Sequence, residues 1–357
     1  MSDESDPEVA SDGGTATGGD GVNRDSRLTE QYERIRQRRR RRAIASVGLV
    51  TFVLFVFVQG LSATELLDGD FTWEHFGTSL RNYFPTTTFG PGVPFLDLGQ
   101  YTAFIIDRNL LFDPEIASLL LEGRFYTFFF EELGMFAIFG QAGITLAMGV
   151  VGTIMGFPFA LMFGVLGSER VTPFPFNFIF RGSMSFIRAI PALVWTLIFI
   201  PLAGLGPAAA TFAIAFDTIG NLGRLFVDEL EEIADGPIEA METTGASKPQ
   251  TIVFGMLSQV KTSFIAWTLY ILEINVRIAV TVGVYGAGGL GQVVESQQGL
   301  LNWTEVMATL LCIFVLIITV ELFSQRLRSR LRSDDEVMGL KELITGFPRR
   351  MAESVMK

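Results

Sequence analysis

Six long apolar blocks constrain this chain more than any other feature of its sequence. They run over about 43–63, 137–166, 186–205, 207–227, 263–283 and 305–324, with most charges held in the segments between and beyond them. A helix of about 20 residues crosses a hydrocarbon layer of about 30 Å, so most blocks match one crossing, and the second is long enough to tilt or protrude. The pattern predicts an all-α integral membrane protein with six transmembrane helices. Composition agrees: 49% of residues are hydrophobic and 18% charged, against about 25% charged in an average soluble domain.

Arginine placement predicts which side each segment occupies. Residues 34–42 hold seven arginines and no acid, directly before the first apolar block. A basic cluster beside a spanning helix marks the cytoplasmic side. With the N-terminus inside, Arg170, Arg181, Arg188, Lys248, Lys261, Arg326, Arg328, Arg330 and Arg332 also fall inside. The short outer connections near 206 and 284–304 carry no Lys or Arg. Both termini are therefore expected in the cytoplasm of a cell-membrane, multi-pass protein.

Outside the spans, residues 1–33 read as a disordered acidic tail, because residues 1–30 are polar, with eight acids and two arginines. Residues 34–63 form the basic anchor and first span. Residues 64–136 form an outer loop too long for a plain connector, expected to hold short interfacial helices. Residues 137–325 hold five further spans and a cytoplasmic loop at 228–262, and 326–357 form a cytoplasmic tail.

Other properties exclude functions. The chain has one cysteine, Cys312, and one histidine, His75, so it can form no internal disulfide and a Cys/His zinc site is nearly excluded. No metal or cofactor is expected. The net charge is −11, and 23 of 27 basic residues are arginine, which suggests a salt-adapted organism and argues against nucleic acid as a partner. Gly286, Gly288 and Gly291 spell the dinucleotide-binding glycine pattern. That pattern needs a preceding strand, whereas here it ends a membrane span. The glycines read instead as an outer hinge, Gly286, Gly288, Gly289 and Gly291, where helix ends pack closely or bend at a gate.

The segment Gly236–Pro249 reads as a short helix opening at Pro237 and closing at Gly245, followed by a second helix capped by Ser247. This stretch resembles the EAA loop of ABC importer permeases. Glu239-Ala240-Met241 is followed by three residues, Gly245, nine residues and Gly255-Met256-Leu257-Ser258. The spacing matches, but Met241 replaces an alanine, Gly255 an isoleucine and Ser258 a proline, so the helix after Gly245 is expected to end differently. Four further runs resemble the phosphonate-type branch: Arg188-Ala189-Ile190-Pro191, Gly204-Leu205-Gly206-Pro207, Glu273-Ile274-Asn275-Val276-Arg277 and Gly286-Ala287-Gly288-Gly289-Leu290-Gly291. The resemblance spans about 137–332.

The resemblance implies a non-enzymatic transport subunit. It would be coupled through loop 236–250, by Glu239, Ala240, Glu242, Gly245 and Ala246, to a separate ABC ATPase. It further implies an extracytoplasmic solute-binding protein and a second permease subunit, most simply another copy in the lipid bilayer. The implied cargo is phosphonate or a related small oxyanion. The chain contains no phosphate-cradling loop of its own.

Charged residues within the spans face protein or water, since a charge at mid-bilayer costs about 2.5–3.5 kcal/mol on insertion scales. Asp217, Arg224, Glu273, Asn275 and Arg277 are candidates for a translocation path or gate. Glu273 and Arg277 are spaced to form an ion pair along one helix face. Such a pair either closes a helix interface or lines the path, with Arg277 or Arg224 attracting an anion. Asn275 lies on another face, suited to holding a neighbouring helix. An ion-gradient-driven secondary transporter is the alternative, with Asp217 and Glu273 as coupling carboxylates.

Overall fold

The computed structural model describes residues 19–64, 73–89 and 93–331. The chain divides into two units, residues 1–73 and 74–357. In the first, α1 runs from Gly19 to Ala63, and its apolar part, Arg39–Ala63, is long enough to cross a membrane. The helix thus takes in residues 19–33, which composition had assigned to a disordered tail. The reason lies in residues 27–42, which are dominated by Arg, Glu, Gln and Leu, strong helix formers contiguous with an apolar helix. Residues 1–18, 65–72, 90–92 and 332–357 lie outside the described residues.

The second unit opens with a small cap. It comprises α2 (Trp73–Tyr83), an antiparallel hairpin of β1 (Thr86–Phe89) and β2 (Val93–Leu96), α3 (Leu98–Asp107), α4 (Pro114–Leu121), a π-helical turn (Thr127–Glu131) and α5 (Gly134–Ala137). Asp97 and Asp113 cap α3 and α4 through their side chains. Buried Tyr101 donates to the Tyr83 carbonyl, and burial raises the pKa of its phenol. Leu110 is fully buried in a cluster with Ala142, Val276, Leu290 and Cys312.

The core is helical: α6 (Gly140–Gly167), α7 (Phe176–Ala189), α8 (Ala192–Ala203), α9 (Pro207–Glu231), α10 (Gly236–Thr243), α11 (Lys248–Gln250), α12 (Leu257–Val282), α13 (Gly289–Gly299) and α14 (Trp303–Leu331). The start of α14 anchors the cap: Thr304 donates to the Asn82 carbonyl at 2.7 Å, and the Tyr83 and Trp303 rings lie 5.3 Å apart. α6 approaches α9 along Gly152, Gly156, Ala160 and Gly164. A Cβ on Gly156 would lie 2.6 Å from the Ala215 carbonyl oxygen, so only glycine permits this approach.

Six continuous spans are not what the helices show. Among the described residues, four segments are long and apolar enough to cross: Arg39–Ala63, Gly140–Gly167, Lys248–Ala287 and Trp303–Leu331. A bent pair makes at most a fifth. The third apolar block, 186–205, takes in only the last turn of α7 together with α8, and the pair is bent by 92° at Ile190–Pro191, because proline disfavours a helical residue before it. α9 is not among the four, yet 14 of its 25 residues are buried. Hydropathy reports fitness for lipid, and a helix enclosed by α6, α7, α8 and α12 has little need of it.

Candidate functional site

The short helix α10 begins with Pro237 in its first turn and Glu239 near its positive end. Its C-terminal turn is closed by Gly245 at φ +77, with the Gly245 and Ala246 amides bonded to the Glu242 and Met241 carbonyls. A capping box of Ser247 and Gln250 starts the next helix. Glu239, Ala240, Glu242 and Gly245 are exposed and Ala246 is half-buried. On the opposite face, Ile238 packs against a core cluster that includes Ile233, Met256 and Val260.

Two departures from the importer pattern, one large-for-small (Met241) and one small-for-large (Gly255), meet in space. A Cβ placed on buried Gly255 would lie 3.4 Å from Met241 Cγ. Met241 fills the volume that isoleucine at 255 would take, so one substitution complements the other. The third departure removes a break. With Ser258 in place of proline, the helix runs on from Lys248 through a π-helical stretch, Thr251–Met256, into α12.

A charged clamp holds the base of α10. Arg181 on α7 pairs with Glu231 at the end of α9, and its Nε donates to the Gly167 carbonyl at 2.7 Å. The Glu169 amide donates to the same Glu231 carboxylate at 3.3 Å. Arg170 pairs at 2.7 Å with Asp235, the residue preceding α10. Trp267 on α12 donates to Glu229 at 2.7 Å. The α6–α7 turn, the end of α9, the α9–α10 junction and α12 are thereby tied together. Neither Arg181 nor Arg170 is marked by sequence spacing, because their partners lie 50 and 65 positions away.

The interior charges pair differently from the sequence expectation. Glu273 and Arg277 do not close on each other. Each reaches across to α14, Glu273 to Arg328 at 2.6 Å and Arg277 to Glu321 at 3.6 Å. Two acids and two bases make an electroneutral α12–α14 seam. Arg224 pairs with Asp228 at 3.0 Å on its own helix. Asp217 is buried and accepts from Asn221 at 2.8 Å.

Asn275 is fully buried and donates at 2.8 Å to Thr153 of α6 and at 2.8 Å to Thr218 of α9. Both threonine hydroxyls donate onward to carbonyls one turn back, those of Gly149 and Ile214. Asn275 therefore knots three helices and does not line an opening.

The glycine-rich run makes a sharp reversal between α12 and α13. Gly286, Gly288 and Gly289 all have positive φ. A Cβ on Gly289 would lie 2.3 Å from Thr145 Oγ1, and one on Gly291 2.1 Å from the Val280 carbonyl oxygen. The Thr145 hydroxyl accepts from the Leu290 amide at 3.0 Å. Gly289 and Gly291 thus pack closely against α6 and α12, while Gly286 and Gly288 lie against Leu205 and Pro207. No group of three potential metal-ligating side chains occurs among the described residues.

Residues 156–333 match the model of the binding-protein-dependent transport system inner-membrane component family. A putative cryptic phosphonate transport system permease protein of Escherichia coli, PhnE2, is 38% identical over 117 residues, 32% of this chain and 95% of that one. The chain belongs to this family. The phosphate-import permease protein PhnE of Mycolicibacterium smegmatis is 34% identical over 203 residues, covering 57% of this chain but only 38% of that longer protein. The putative phosphite transport system permease protein HtxC of Stutzerimonas stutzeri is 31% identical over 188 residues, 52% of this chain and 67% of that one.

Proposed function

We propose that this chain is the transmembrane permease subunit of an ATP-driven importer for phosphonate or a related small phosphorus oxyanion. The observation that carries the reading is the exposed helix α10, seated by Ile238 and Met241 and clamped at its base, within a chain of the binding-protein-dependent permease family. The similar proteins are named for phosphate, phosphite and phosphonate, which share a tetrahedral anionic phosphorus centre.

In this reading six segments cross the membrane, with α7–α8 as one broken crossing and α9 as a protein-enclosed one. Both termini and α10 lie in the cytoplasm. Glu239, Ala240, Glu242, Gly245 and Ala246 form the contact surface for a separate ATPase, and two permease copies frame the pathway. Nucleotide-driven closure of the ATPase dimer shifts α10. The clamp passes that displacement to α7, α9 and α12, so ATP binding biases inward- against outward-open states. A solute-binding protein delivers cargo to the outer face, and this chain makes and breaks no covalent bond.

Site-directed cross-linking tests the assignment. The single native cysteine, Cys312, is buried, so Ala240→Cys places the reactive thiol on α10. Cross-linking to a co-expressed ABC ATPase, protected by nucleotide, is the expected result. Labelling of residue 240 from outside intact cells, or a purified complex without an ATPase, refutes it.

A further inference from the structure

Arg188, which sequence places at the cytoplasmic end of its span, packs part-way along α9. Along α9, Arg181 of α7 meets Glu231, Met184 packs on Gly223, Arg188 packs on Gly220, and beyond the bend Trp195 and Phe199 of α8 meet Phe216 and Phe212. The broken helix therefore climbs the length of α9. A Cβ on Gly220 would lie 2.9 Å from Arg188 Cγ, so the stem of this side chain is fixed against α9. Gly220 stands about 20 Å from the start of α9 and about 16 Å from its end, at a rise of about 1.5 Å per residue. If α9 crosses the bilayer, Arg188 sits near half depth.

Its electrostatic setting is equally distinctive. Arg224, Arg277 and Arg328 are each neutralised by a carboxylate. Arg188 is exposed, and among the described residues its guanidinium makes no hydrogen bond or closed ion pair. The opposing charge nearby is Asp217, whose carboxylate already accepts from Asn221. Asp217, Asn221, Arg224 and Asp228 recur at helical spacing along one stripe of α9. An arginine at half depth is costly against lipid, so the face of α7 that carries Arg188 turns to protein or water. The α7–α8 break exposes irregular backbone at the same level, which a membrane tolerates only where protein or a water-filled cavity surrounds it.

We propose that Arg188, at the break between α7 and α8, is the cation that engages the phosphorus oxyanion midway along the pathway, with Asp217 and Asn221 as its polar surroundings. The guanidinium offers paired donors that match two oxygens of a tetrahedral anion. Asp217 balances the charge when the site is empty, and its repulsion keeps the anion from being held too tightly to leave. This inference rests on the permease reading and assigns to Arg188 the role the sequence had suggested for Arg224 or Arg277.

The test uses the complete transporter, with its ATPase and solute-binding protein, in proteoliposomes. The probes are 32P-labelled phosphate, phosphite and methylphosphonate, and uptake is normalised to ATP-hydrolysing complex. Arg188→Gln is expected to lower uptake of the transported probe at least about tenfold, the scale of one charged hydrogen bond. Arg188→Cys is expected to be inactive. It should regain uptake after reaction with a cationic aminoethyl thiosulfonate reagent, and should not regain it after the anionic sulfonatoethyl reagent.

Wild-type uptake by Arg188→Gln overturns the proposal. So does recovery of Arg188→Cys with both reagents or with neither, since a structural role would not follow the sign of the added charge. Wild-type proteoliposomes without ATP-dependent uptake of any probe overturn the permease reading itself. That result is distinct from one in which the wild type transports and residue 188 proves indifferent to charge.

Discussion

Isoleucine at position 255, the residue of the importer pattern, would force a collision that this chain has removed by carrying glycine there. The Gly255 Cβ position already lies 3.4 Å from Met241 Cγ and 3.6 Å from Thr251 Cγ2. Alanine is therefore accommodated, and Gly255→Ala should stabilise the protein by up to about 1 kcal/mol through helix propensity. The three further carbons of isoleucine fall in the volume Met241 occupies. Overpacking of this kind costs about 1–3 kcal/mol, partly offset by the propensity gain. Met241→Ala alone leaves a gap beside Gly255. The double variant Met241→Ala/Gly255→Ile fills it again. Its stability should exceed the sum of the single effects by about 1–3 kcal/mol, well outside the roughly 0.5 kcal/mol scatter of independent sites. The assay is a double-mutant cycle on thermal unfolding of the purified chain in detergent. Additive effects would refute the claim that these two residues share one space.

Three other outcomes follow from the same geometry. Arg181→Ala removes the bonds to Glu231 and Gly167; hydrogen exchange should accelerate across 232–250 while the buried middle of α12 stays protected. Asn275→Leu forfeits two interhelical hydrogen bonds of about 0.6 kcal/mol each but also relieves the unpartnered, buried Oδ1, so unfolding should shift by no more than about 1 kcal/mol. Asn275→Ala, which leaves a cavity, should cost about 2 kcal/mol or more in the same measurement. Gly289→Ala brings a Cβ to within 2.3 Å of Thr145 Oγ1 at φ +67 and should depress the yield of folded protein in detergent, whereas Gly299→Ala, with open space around it, should not.

Local features were legible because their causes are local. The helix bounds of α10, the Gly245 turn and the Ser247 cap follow from proline, glycine and capping chemistry within a few residues, and the structure has them at the expected positions. The glycine stripe on α6, Gly152, Gly156, Ala160 and Gly164, was equally open to reading, since small residues at four-residue spacing mark a close helix contact. Partner choice was less accessible. Glu273 and Arg277 sit at the spacing of a helical ion pair, yet both find longer-range partners on α14. Spacing shows which groups can meet along one helix. It carries no information about a neighbouring helix whose approach depends on packing elsewhere.

Arg188 shows the same division. Arginine placement tells which ends of a membrane chain are basic, and on that ground Arg188 was counted with the inner loops. Its height depends on how far α7 climbs before Pro191 bends it, which no local pattern records. Sequence alone thus determined that this is a helical membrane chain with an exposed helix–turn–helix, because apolar length, glycine and proline act within a turn or two. Which charges neutralise one another and which helix is enclosed by the rest were decided only by tertiary packing, because each depends on side chains brought together from helices far apart in the chain.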